Sequence, residues 1–222
     1  MKRHMATKKT VLLGAGGHAR VVWDTLKLIS AREDIEVVAV LDDNPELWGK
    51  AFMGLTIRGP IESVAQTDVD AAIVAIGDNR ARARIFDLVR SSGIQFISAV
   101  HPSAVLAEGV RIGKGTVAFA NVVVNIGANI GEDVILNTAC SVDHDCIIGS
   151  HVHLAPRVGL AGGVRVGEGT LMGIGSVAVP YVKIGEWAVI GAGSVAIEDI
   201  PDRAIASGIP ARVMRVKDQN AV

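Results

Sequence analysis

Three of the six histidines lie within ten residues of one another, at His144, His151 and His153. Imidazoles clustered in this way have two common uses in enzymes. They bind a metal such as zinc, or one of them acts as a general base, because a pKa of about 6.5 suits proton transfer at neutral pH. A third interpretation is that these are simply polar outward positions, and it applies above all to His151.

His144 stands between two carboxylates, Asp143 and Asp145. A carboxylate that binds an imidazole fixes its tautomer and raises its basicity. The triplet therefore predicts a base together with its orienting acid, and it leaves open which of the two aspartates orients the ring.

A second candidate site begins with the glycine-rich segment Gly14-Ala15-Gly16-Gly17-His18-Ala19, which follows an apolar strand and opens a helix. Glycines there allow a tight turn and bring backbone N–H groups close to a phosphate at the positive end of the helix. Asp42 and Asp43 end the second strand, where carboxylates accept hydrogen bonds from ribose or base. The alternative is a turn used only for helix–strand packing, with the aspartates as turn formers.

Gly77, Asn79 and Arg82 follow the third strand, at the edge where open α/β sheets bind ligands. Arg82 is a candidate phosphate contact or, equally, part of a solvated helix start. The α/β region has only about 90 residues, half of a full dinucleotide fold. A mononucleotide or a nucleotide-linked sugar is therefore expected rather than a hydride-transfer cofactor.

The elements that position these groups fall into two regions. Strands are predicted at 11–13, 37–41 and 71–76, with helices at 18–29 and 80–90, so residues 8–100 form a small parallel α/β, Rossmann-like domain. Residues 1–7 are expected to be a flexible N-terminus. Pro102 marks the joint to the second region, because it disfavours continued helix.

From Ala104 to Asp199 the chain divides into sixteen unbroken blocks of six residues. The third position of every block is apolar, and the first is always Ala, Val, Thr, Ser or Cys. This is the hexapeptide signature of a parallel β-helix, here residues 101–199, with residues 200–222 as its cap. Cys140 and Cys146 occupy first positions and are expected to fill the core as inert thiols; a cysteine nucleophile is the alternative.

The second position of each block is expected to face outward, yet nine of the sixteen are aliphatic. So much apolar surface predicts a partner, in a closed symmetric oligomer. The nine are Val105, Val117, Val123, Ile135, Ile147, Leu171, Val177, Val189 and Val195.

Composition excludes several classes of protein. Half of the 222 residues are hydrophobic, which excludes disorder, and the net charge of −1 offers no basic surface for nucleic acid or an anionic membrane. The longest uncharged run, 115–131, is short for a membrane span and contains three asparagines. Two cysteines do not make a secreted disulfide scaffold, so a cytoplasmic enzyme with small-molecule partners is predicted.

Several motifs together resemble a known family: GAGGHA at 14–19, Asp42-Asp43, HPSA at 101–104, NTA at 137–139 followed by DHD at 143–145, HLAP at 153–156 and GIPAR at 208–212. They are similar to the sugar O- and N-acyltransferases of the left-handed β-helix superfamily, over nearly the whole chain. The resemblance implies a triangular left-handed β-helix of about five coils. It also implies a homotrimer with active sites between subunits.

The resemblance also implies roles for individual residues. His144 matches the catalytic base and Asp145 its orienting acid, Asn137 the residue that holds the acceptor amine, and His153 a second histidine near acetyl-CoA and the acceptor. The N–H of Gly162 matches the donor to the thioester oxygen. Lys183 and Arg212 are candidates to contact the CoA phosphates, and no metal is expected. Arg157 stands where the family commonly has glycine, so that corner is expected to differ.

The implied activity is acetyl transfer from acetyl-CoA to the 4-amino group of a nucleotide-linked amino sugar, GDP-perosamine first, by direct attack with a histidine base. Sialic acid O-acetylation is the main alternative. Two more distant alternatives are a trimeric zinc hydratase of the carbonic anhydrase type and a non-catalytic trimeric scaffold.

Overall fold

The computed structural model describes residues 7–217 and divides the chain into two compact units, one ending at Pro102 and the other beginning at Ser103. The predicted flexible N-terminus lies outside the described residues except for Thr7. The last five residues of the predicted cap, 218–222, lie outside them as well. The two units are taken in turn below.

The first unit alternates strands and helices, as the apolar pattern predicts. Its regular elements are β1 (Lys8–Leu13), α1 (Gly17–Glu33), β2 (Ile35–Leu41), β3 (Ala51–Phe52), β4 (Leu55–Thr56), β5 (Ala71–Val74), α2 (Asn79–Ser91), β6 (Gln95–Phe96) and a last short strand, Ala99–Val100. Two short 3-10 helices, Pro45–Leu47 and Ile61–Gln66, precede β3 and β5 respectively.

A four-stranded parallel sheet in the order β2-β1-β5-β6 forms the centre of this unit. Strands buried on both faces require continuous apolar runs, and the Val11–Leu13 and Ala71–Val74 segments are at most 1 % exposed. Because all four strands are parallel, the loops after β1, β2 and β5 emerge at one edge. That edge carries the candidate nucleotide-binding residues, and the Rossmann-like prediction is confirmed.

The second unit is a parallel β-solenoid of two-residue strands, in which a strand residue pairs with the residue 18 positions further on until the last coil, where the spacing shortens to 16. The strands stack into three faces. Face A contains Val117–Ala118, Ile135–Leu136, His153–Leu154, Leu171–Met172, Val189–Ile190 and Ala204–Gly208. Face B contains Val105–Leu106, Val123–Val124, Ser141–Val142, Gly159–Leu160, Val177–Ala178 and Val195–Ala196. Face C contains Arg111–Ile112, Asn129–Ile130, Ile147–Ile148, Arg165–Val166 and Lys183–Ile184.

Each coil contains three hexads, as the family resemblance implies. Face B has six strands, so the solenoid has about six coils rather than the five expected. The first and third positions of the hexads supply the core, and Cys140 and Cys146 are fully buried among them. The cap ends in an antiparallel hairpin of Ala204–Gly208 and Ala211–Val216.

The corners between faces turn through residues in the left-handed conformation. Arg157 has a φ of 59°, close to the 57° of Ala139 one coil before and the 65° of Gly175 one coil after. The expectation of a different corner at Arg157 is therefore wrong for the backbone, because the arginine adopts the conformation that glycine adopts more readily.

The expectation that all nine aliphatic second positions face solvent is also partly wrong. Val117 and Ile135, both on face A, are 1 % exposed within the single chain. On face B, in contrast, Val105 is 61 % exposed, and Val123 and Val177 are 36 % exposed. Within residues 7–217, no helix is long and apolar enough to cross a bilayer.

Candidate active site

His144 lies at the corner between faces B and C, and Asp145 holds its ring. Asp145 takes the left-handed conformation, with a φ of 58°, and its Oδ2 lies 2.9 Å from His144 Nδ1. The Asp145 carboxylate accepts the Nδ1 proton, which leaves Nε2 as the basic nitrogen. The open choice between the two aspartates is thus resolved geometrically, because Asp145 contacts the ring.

Asp143 contacts the backbone of His144 instead. Its Oδ1 accepts the His144 N–H at 2.7 Å and the Asn125 side-chain amide at 2.8 Å. These two donors keep the pKa of Asp143 below its ordinary value, the Asn125 amide first. A charged Asp143 therefore fixes the main chain from which the imidazole projects.

The pKa of His144 is raised above its ordinary value. The hydrogen bond that His144 donates to Asp145 is the main cause; desolvation partly opposes it, and the charges of both neighbouring carboxylates add to it. A stronger base results, on a side chain that is half exposed and open to a substrate.

Gly162 lies one coil beyond His144, directly against the imidazole. A Cβ added at Gly162 would be 2.5 Å from His144 Nε2, so only glycine fits beside the ring in its present place. The next residue, Gly163, donates its N–H to the His144 carbonyl at 2.9 Å. In the described part of the chain, the Gly162 N–H donates no hydrogen bond. A basic nitrogen and a fixed N–H donor therefore stand close together.

Asn137 and His153 form a second polar pair, on adjacent coils of face A. The Asn137 Oδ1 accepts the Thr138 N–H at 2.8 Å, which turns its Nδ2 toward His153 Nε2 at 3.1 Å. Asn137 follows a face A strand, whereas His144 follows a face B strand. The two candidate groups therefore lie at opposite edges of face B, and the chain does not bring them together within one subunit.

His151 belongs to a different, buried contact. Its Nδ1 lies 2.8 Å from Asp133 Oδ2, and the two side chains are 9 % and 1 % exposed. The expectation of a simple outward position is wrong, because the left-handed corner directs this imidazole onto the preceding coil. Among residues 7–217, no group of three or more His, Cys, Asp or Glu side chains could hold a metal ion.

The two cysteines have the environment expected of inert thiols. Burial raises the pKa of Cys140 to about 12. Burial also raises the pKa of Cys146, whose Sγ lies 3.2 Å from the Ala161 carbonyl oxygen. A thiol held protonated is a poor nucleophile.

The glycine turn of the first unit has two kinds of glycine. Gly14 has a φ of 110°, and a Cβ there would meet the Ala75 carbonyl oxygen at 2.9 Å, so the turn requires glycine at this position. Gly16 and Gly17 are exposed, with no atom within 4 Å of an added Cβ. Asp42 braces the turn by accepting the Ala15 N–H at 2.7 Å. The start of α1 has no acidic residue and no side-chain cap, as an anion site requires.

The remaining residues at this edge surround the turn. Asp43 is exposed and accepts the Ile61 N–H at 2.9 Å through Oδ1. His18 lies in the first turn of α1, beside Gly77. A Cβ added at Gly77 would be 3.8 Å from the His18 Cβ. The structure thus places Gly14, His18 and Gly77 at one edge of the sheet.

Arg82 differs from its expected place. It is 1 % exposed, and its Nη1 donates to the carbonyls of Ile76 and Gly77, both at 3.3 Å, and to Asn79 Oδ1 at 3.0 Å. A solvated helix start is therefore wrong for this residue. The guanidinium secures the loop after β5 from inside, and its contact with a phosphate stays a prediction.

Lys183 and Arg212 lie further along the solenoid. Lys183 is exposed on face C. Arg212 lies in the final hairpin, with Nη1 3.8 Å from Glu198 Oε2. No contact among the described residues joins either cation to the His144 corner, and their role at the CoA phosphates stays a prediction.

Asn125 and Asp133 hold the two histidine corners, and neither residue was predicted from the sequence. Each lies 18 residues before its partner, Asp143 and His151 respectively. A search for polar pairs one coil apart would have found both.

The chain is similar to known proteins in both sequence and fold. Residues 9–89 match the family model of the PglD N-terminal domain. The chain is 37 % identical over 120 residues to UDP-N-acetylbacillosamine N-acetyltransferase of Bacillus subtilis, covering 51 % of this chain and 52 % of the relative. It is 31 % identical over 104 residues to GDP-perosamine N-acetyltransferase of Escherichia coli O157:H7, covering 47 % of each. The chain thus spans about half the length of the curated relatives it matches.

A solved structure matches over both units. PerB from Caulobacter crescentus, in complex with CoA and GDP-perosamine, superimposes with a TM-score of 0.85 and 37 % identity, covering 95 % of this chain and 99 % of that one. The parallel β-solenoid of this chain matches a left-handed β-helix acetyltransferase fold, as the family resemblance implies. The chain therefore belongs to the hexapeptide-repeat acyltransferase family.

Proposed function

We propose that this protein is an acetyl-CoA-dependent N-acetyltransferase that acetylates the 4-amino group of a nucleotide-linked amino sugar, with GDP-perosamine as the first candidate. The observation that carries the proposal is the His144 corner, where a base oriented by Asp145 lies against Gly162. The likeness to PerB over both units supports the same activity.

In the proposed mechanism, His144 is the general base. The sugar amine attacks the acetyl carbonyl carbon of acetyl-CoA while His144 Nε2 accepts the amine proton. Asp145, 2.9 Å from Nδ1, stabilises the imidazolium that forms. When the C–S bond breaks, the imidazolium returns the proton to the CoA thiolate, and no acyl-enzyme forms.

The Gly162 N–H supplies the complementary electrostatic part. Negative charge develops on the carbonyl oxygen as the tetrahedral intermediate forms, and a preorganised N–H donor stabilises it without reorganisation. The imidazole and this N–H lie on adjacent coils, so one acetyl group can reach both. Asn137 and His153 then hold the acceptor.

The first unit would bind the nucleotide. The diphosphate would bind at the exposed turn of Gly16 and Gly17, beside the positive end of α1, which has no side-chain cap. Asp43 lies at the same edge and is available to ribose or base. A 4-amino sugar attached to the diphosphate would extend from this edge.

A homotrimer completes the site in this proposal. Face B carries exposed aliphatic residues at Val105, Val123 and Val177, with the small residues Ser141 and Gly159 between them. Packing of face B in a closed trimer would place Asn137 of one subunit near His144 of the next. The apolar row and the separation of the two groups at its edges support this arrangement.

The expected location is the cytoplasm, where acetyl-CoA and nucleotide sugars are available.

The alternative acceptor is the hydroxyl of sialic acid, because the same base could deprotonate an alcohol. The resemblance to N-acetyltransferases of Bacillus subtilis and Escherichia coli O157:H7 favours the amine over the hydroxyl.

A panel of acceptors tests the proposal. Thiol release from acetyl-CoA is measured with GDP-4-amino, UDP-4-amino and sialic acid acceptors, using the full chain. Thiol release on a nucleotide-linked amino sugar, with the N-acetyl product identified by mass spectrometry, is the expected result. Activity on sialic acid alone would replace the proposed acceptor, and no activity on any acceptor would contradict acetyl transfer.

A further inference from the structure

A buried pair of side chains lies at the corner between faces C and A, opposite face B, and the proposed mechanism does not use it. His151 Nδ1 lies 2.8 Å from Asp133 Oδ2, and the two side chains are 9 % and 1 % exposed. The two residues are 18 positions apart, so their contact joins one coil to the next. His151 also donates its backbone N–H to the Glu132 carbonyl at 2.9 Å. Side chain and main chain together therefore fix the spacing of the two coils at this corner.

The same two coils carry Asn137 and His153. Asp133 precedes Asn137 by four residues in one coil, and His151 precedes His153 by two residues in the other. The residues in between are at most 1 % exposed: Val134, Ile135, Leu136 and Val152. A close-packed interior of this kind transmits a displacement instead of absorbing it. A shift at the corner would therefore move the polar side chains that follow it.

The contact between Asn137 and His153 depends on the spacing of the coils. Asn137 Oδ1 accepts the Thr138 N–H, which turns its Nδ2 toward His153 Nε2 at 3.1 Å. An amide nitrogen only donates, so His153 Nε2 accepts and the ring carries its single proton on Nδ1. Lengthening the contact by roughly 0.5 Å would take it beyond hydrogen-bonding distance. His153 would then lose the group that sets its tautomer.

Glycine occupies this corner in the coils on either side. Gly115, one coil before Asp133, has a φ of 74°, and Gly169, one coil after His151, has a φ of 67°. Asp133 and His151 hold the same left-handed conformation, at 55° and 60°, although it favours glycine. Burying a polar pair also costs desolvation, and apolar side chains of similar volume are often at least as stable. Stability alone therefore does not explain the pair, and backbone strain of this kind is typically retained at functional sites.

We propose that Asp133 and His151 are positioning residues, whose buried contact sets the coil spacing at which Asn137 and His153 meet and thereby how well the acceptor sugar is held. The inference rests on the proposed function, in which Asn137 and His153 hold the acceptor. It adds two residues that touch neither substrate and act through the coils that carry this polar pair.

Kinetics of the full chain with the best acceptor of the panel above test the inference. The double variant Asp133→Gly/His151→Gly gives this corner the glycines of the neighbouring coils, so it removes the backbone strain and the buried polar groups together. We expect kcat/KM for the acceptor to fall about tenfold or more, because a small misplacement of a binding group is costly. KM for acetyl-CoA should stay unchanged.

Two further variants separate positioning from stability. Asp133→Asn is the conservative rescue, because its amide oxygen still accepts from His151 Nδ1 and asparagine tolerates the left-handed conformation. Its kcat/KM for the acceptor should stay within a few-fold of the wild type. Trp187→Leu is the control at the same corner, two coils beyond His151, where Trp187 packs directly on Gly169. It should lower the melting temperature and leave both kinetic constants unchanged.

NMR of the histidine rings tests the same positioning without turnover. Long-range proton–nitrogen correlations of the labelled full chain report the tautomer of each ring, and His153→Asn assigns the His153 signal. The wild type, Asp133→Asn and Trp187→Leu should show His153 with its proton on Nδ1 alone. The glycine double variant should show a mixture of both tautomers.

The outcomes distinguish this inference from the proposed function. A wild-type kcat/KM for the acceptor or a wild-type His153 signal in the glycine double variant would overturn the positioning role and leave the proposed reaction intact. A loss of kcat/KM that Trp187→Leu reproduces would also overturn it, because the loss would then reflect stability. A His153 signal that changes as expected, in a chain that acetylates no amino sugar, would uphold the positioning of His153 and overturn only the proposed reaction.

Discussion

At the scale of single residues, the left-handed conformation of Asp145 makes the contact with His144 possible. A residue in the extended conformation would direct its carboxylate away from the preceding ring. With a φ of 58°, Asp145 turns back and reaches Nδ1. The cost of a non-glycine residue in this conformation, about 1 kcal/mol or more, is the kind of local strain that functional sites retain.

The protonation of His144 gives a first prediction. Because Asp145 raises the pKa of His144, the base is protonated and inactive at low pH, and kcat/KM should rise with pH through an inflection above about 6.5. Asp145→Asn removes the largest cause of the shift, so the inflection should move to lower pH and the plateau should fall. A profile measured on one acceptor for both proteins checks this. An unchanged inflection would mean that Asp145 does not set the pKa of the base.

Gly162 gives a second prediction. Gly162→Ala places a methyl group 2.5 Å from His144 Nε2, which must displace the ring or block the acyl group. We expect kcat to fall by roughly 10²-fold or more. The solenoid itself should keep a normal circular dichroism spectrum. Activity near that of the wild type would show that the imidazole and Gly162 do not act together.

At the scale of elements, the carboxyl edge of the sheet depends on one glycine. Gly14→Ala would strain a φ of 110° and bring a Cβ to 2.9 Å from the Ala75 carbonyl oxygen. The free energy of unfolding should fall by roughly 1–3 kcal/mol or more. Gly16→Ala is the matched control, since Gly16 has a φ of −82° and open space around it, and it should change stability by less than about 1 kcal/mol. Urea denaturation compares them, and equal losses would contradict this account of the turn.

The solenoid was predictable from sequence because its constraint is local and repeated. Every coil must place small and aliphatic residues inward at the same positions, so the hexads carry the pattern sixteen times. The period of six does not show which corner residues stack on one another, because that depends on the coil length of 18 residues. The pairs Asn125–Asp143 and Asp133–His151 follow that longer period.

Arg82 could not be placed from its sequence context. An arginine three residues into a helix is ordinarily solvated, and nothing in its neighbours signals burial. It becomes buried because the carbonyls of Ile76 and Gly77 turn inward after β5 and need a donor. Arg157 is the opposite case: its corner was expected to differ, yet the arginine adopts the left-handed backbone conformation that glycine adopts more readily.

At the scale of the whole molecule, the proposed trimer predicts that a charged substitution on face B and one on face C of the solenoid have different effects. Val123→Glu on face B would bury a charge in the subunit contact, which is costly without a partner. We expect it to convert a trimer of 23.1 kDa chains into monomers and to abolish activity, because the site needs two subunits. Analytical ultracentrifugation measures the mass.

Ile147→Glu is the matched control for that experiment. Ile147 is 43 % exposed, but it lies on face C among Arg111, Asn129 and Arg165, where a charge is readily solvated. It should leave mass and activity unchanged. A wild-type chain that sediments as an active monomer would contradict the trimer and the shared site together.

The proposed transfer depends on His144 as its general base. The most direct test is kcat for thiol release from acetyl-CoA with the best nucleotide-linked amino sugar, for wild type, His144→Asn and His101→Asn. We expect a loss of roughly 10²–10⁴-fold for His144→Asn and near-normal turnover for His101→Asn, which makes the same chemical change outside the solenoid. Turnover by His144→Asn within a few-fold of the wild type would show that His144 is not the base.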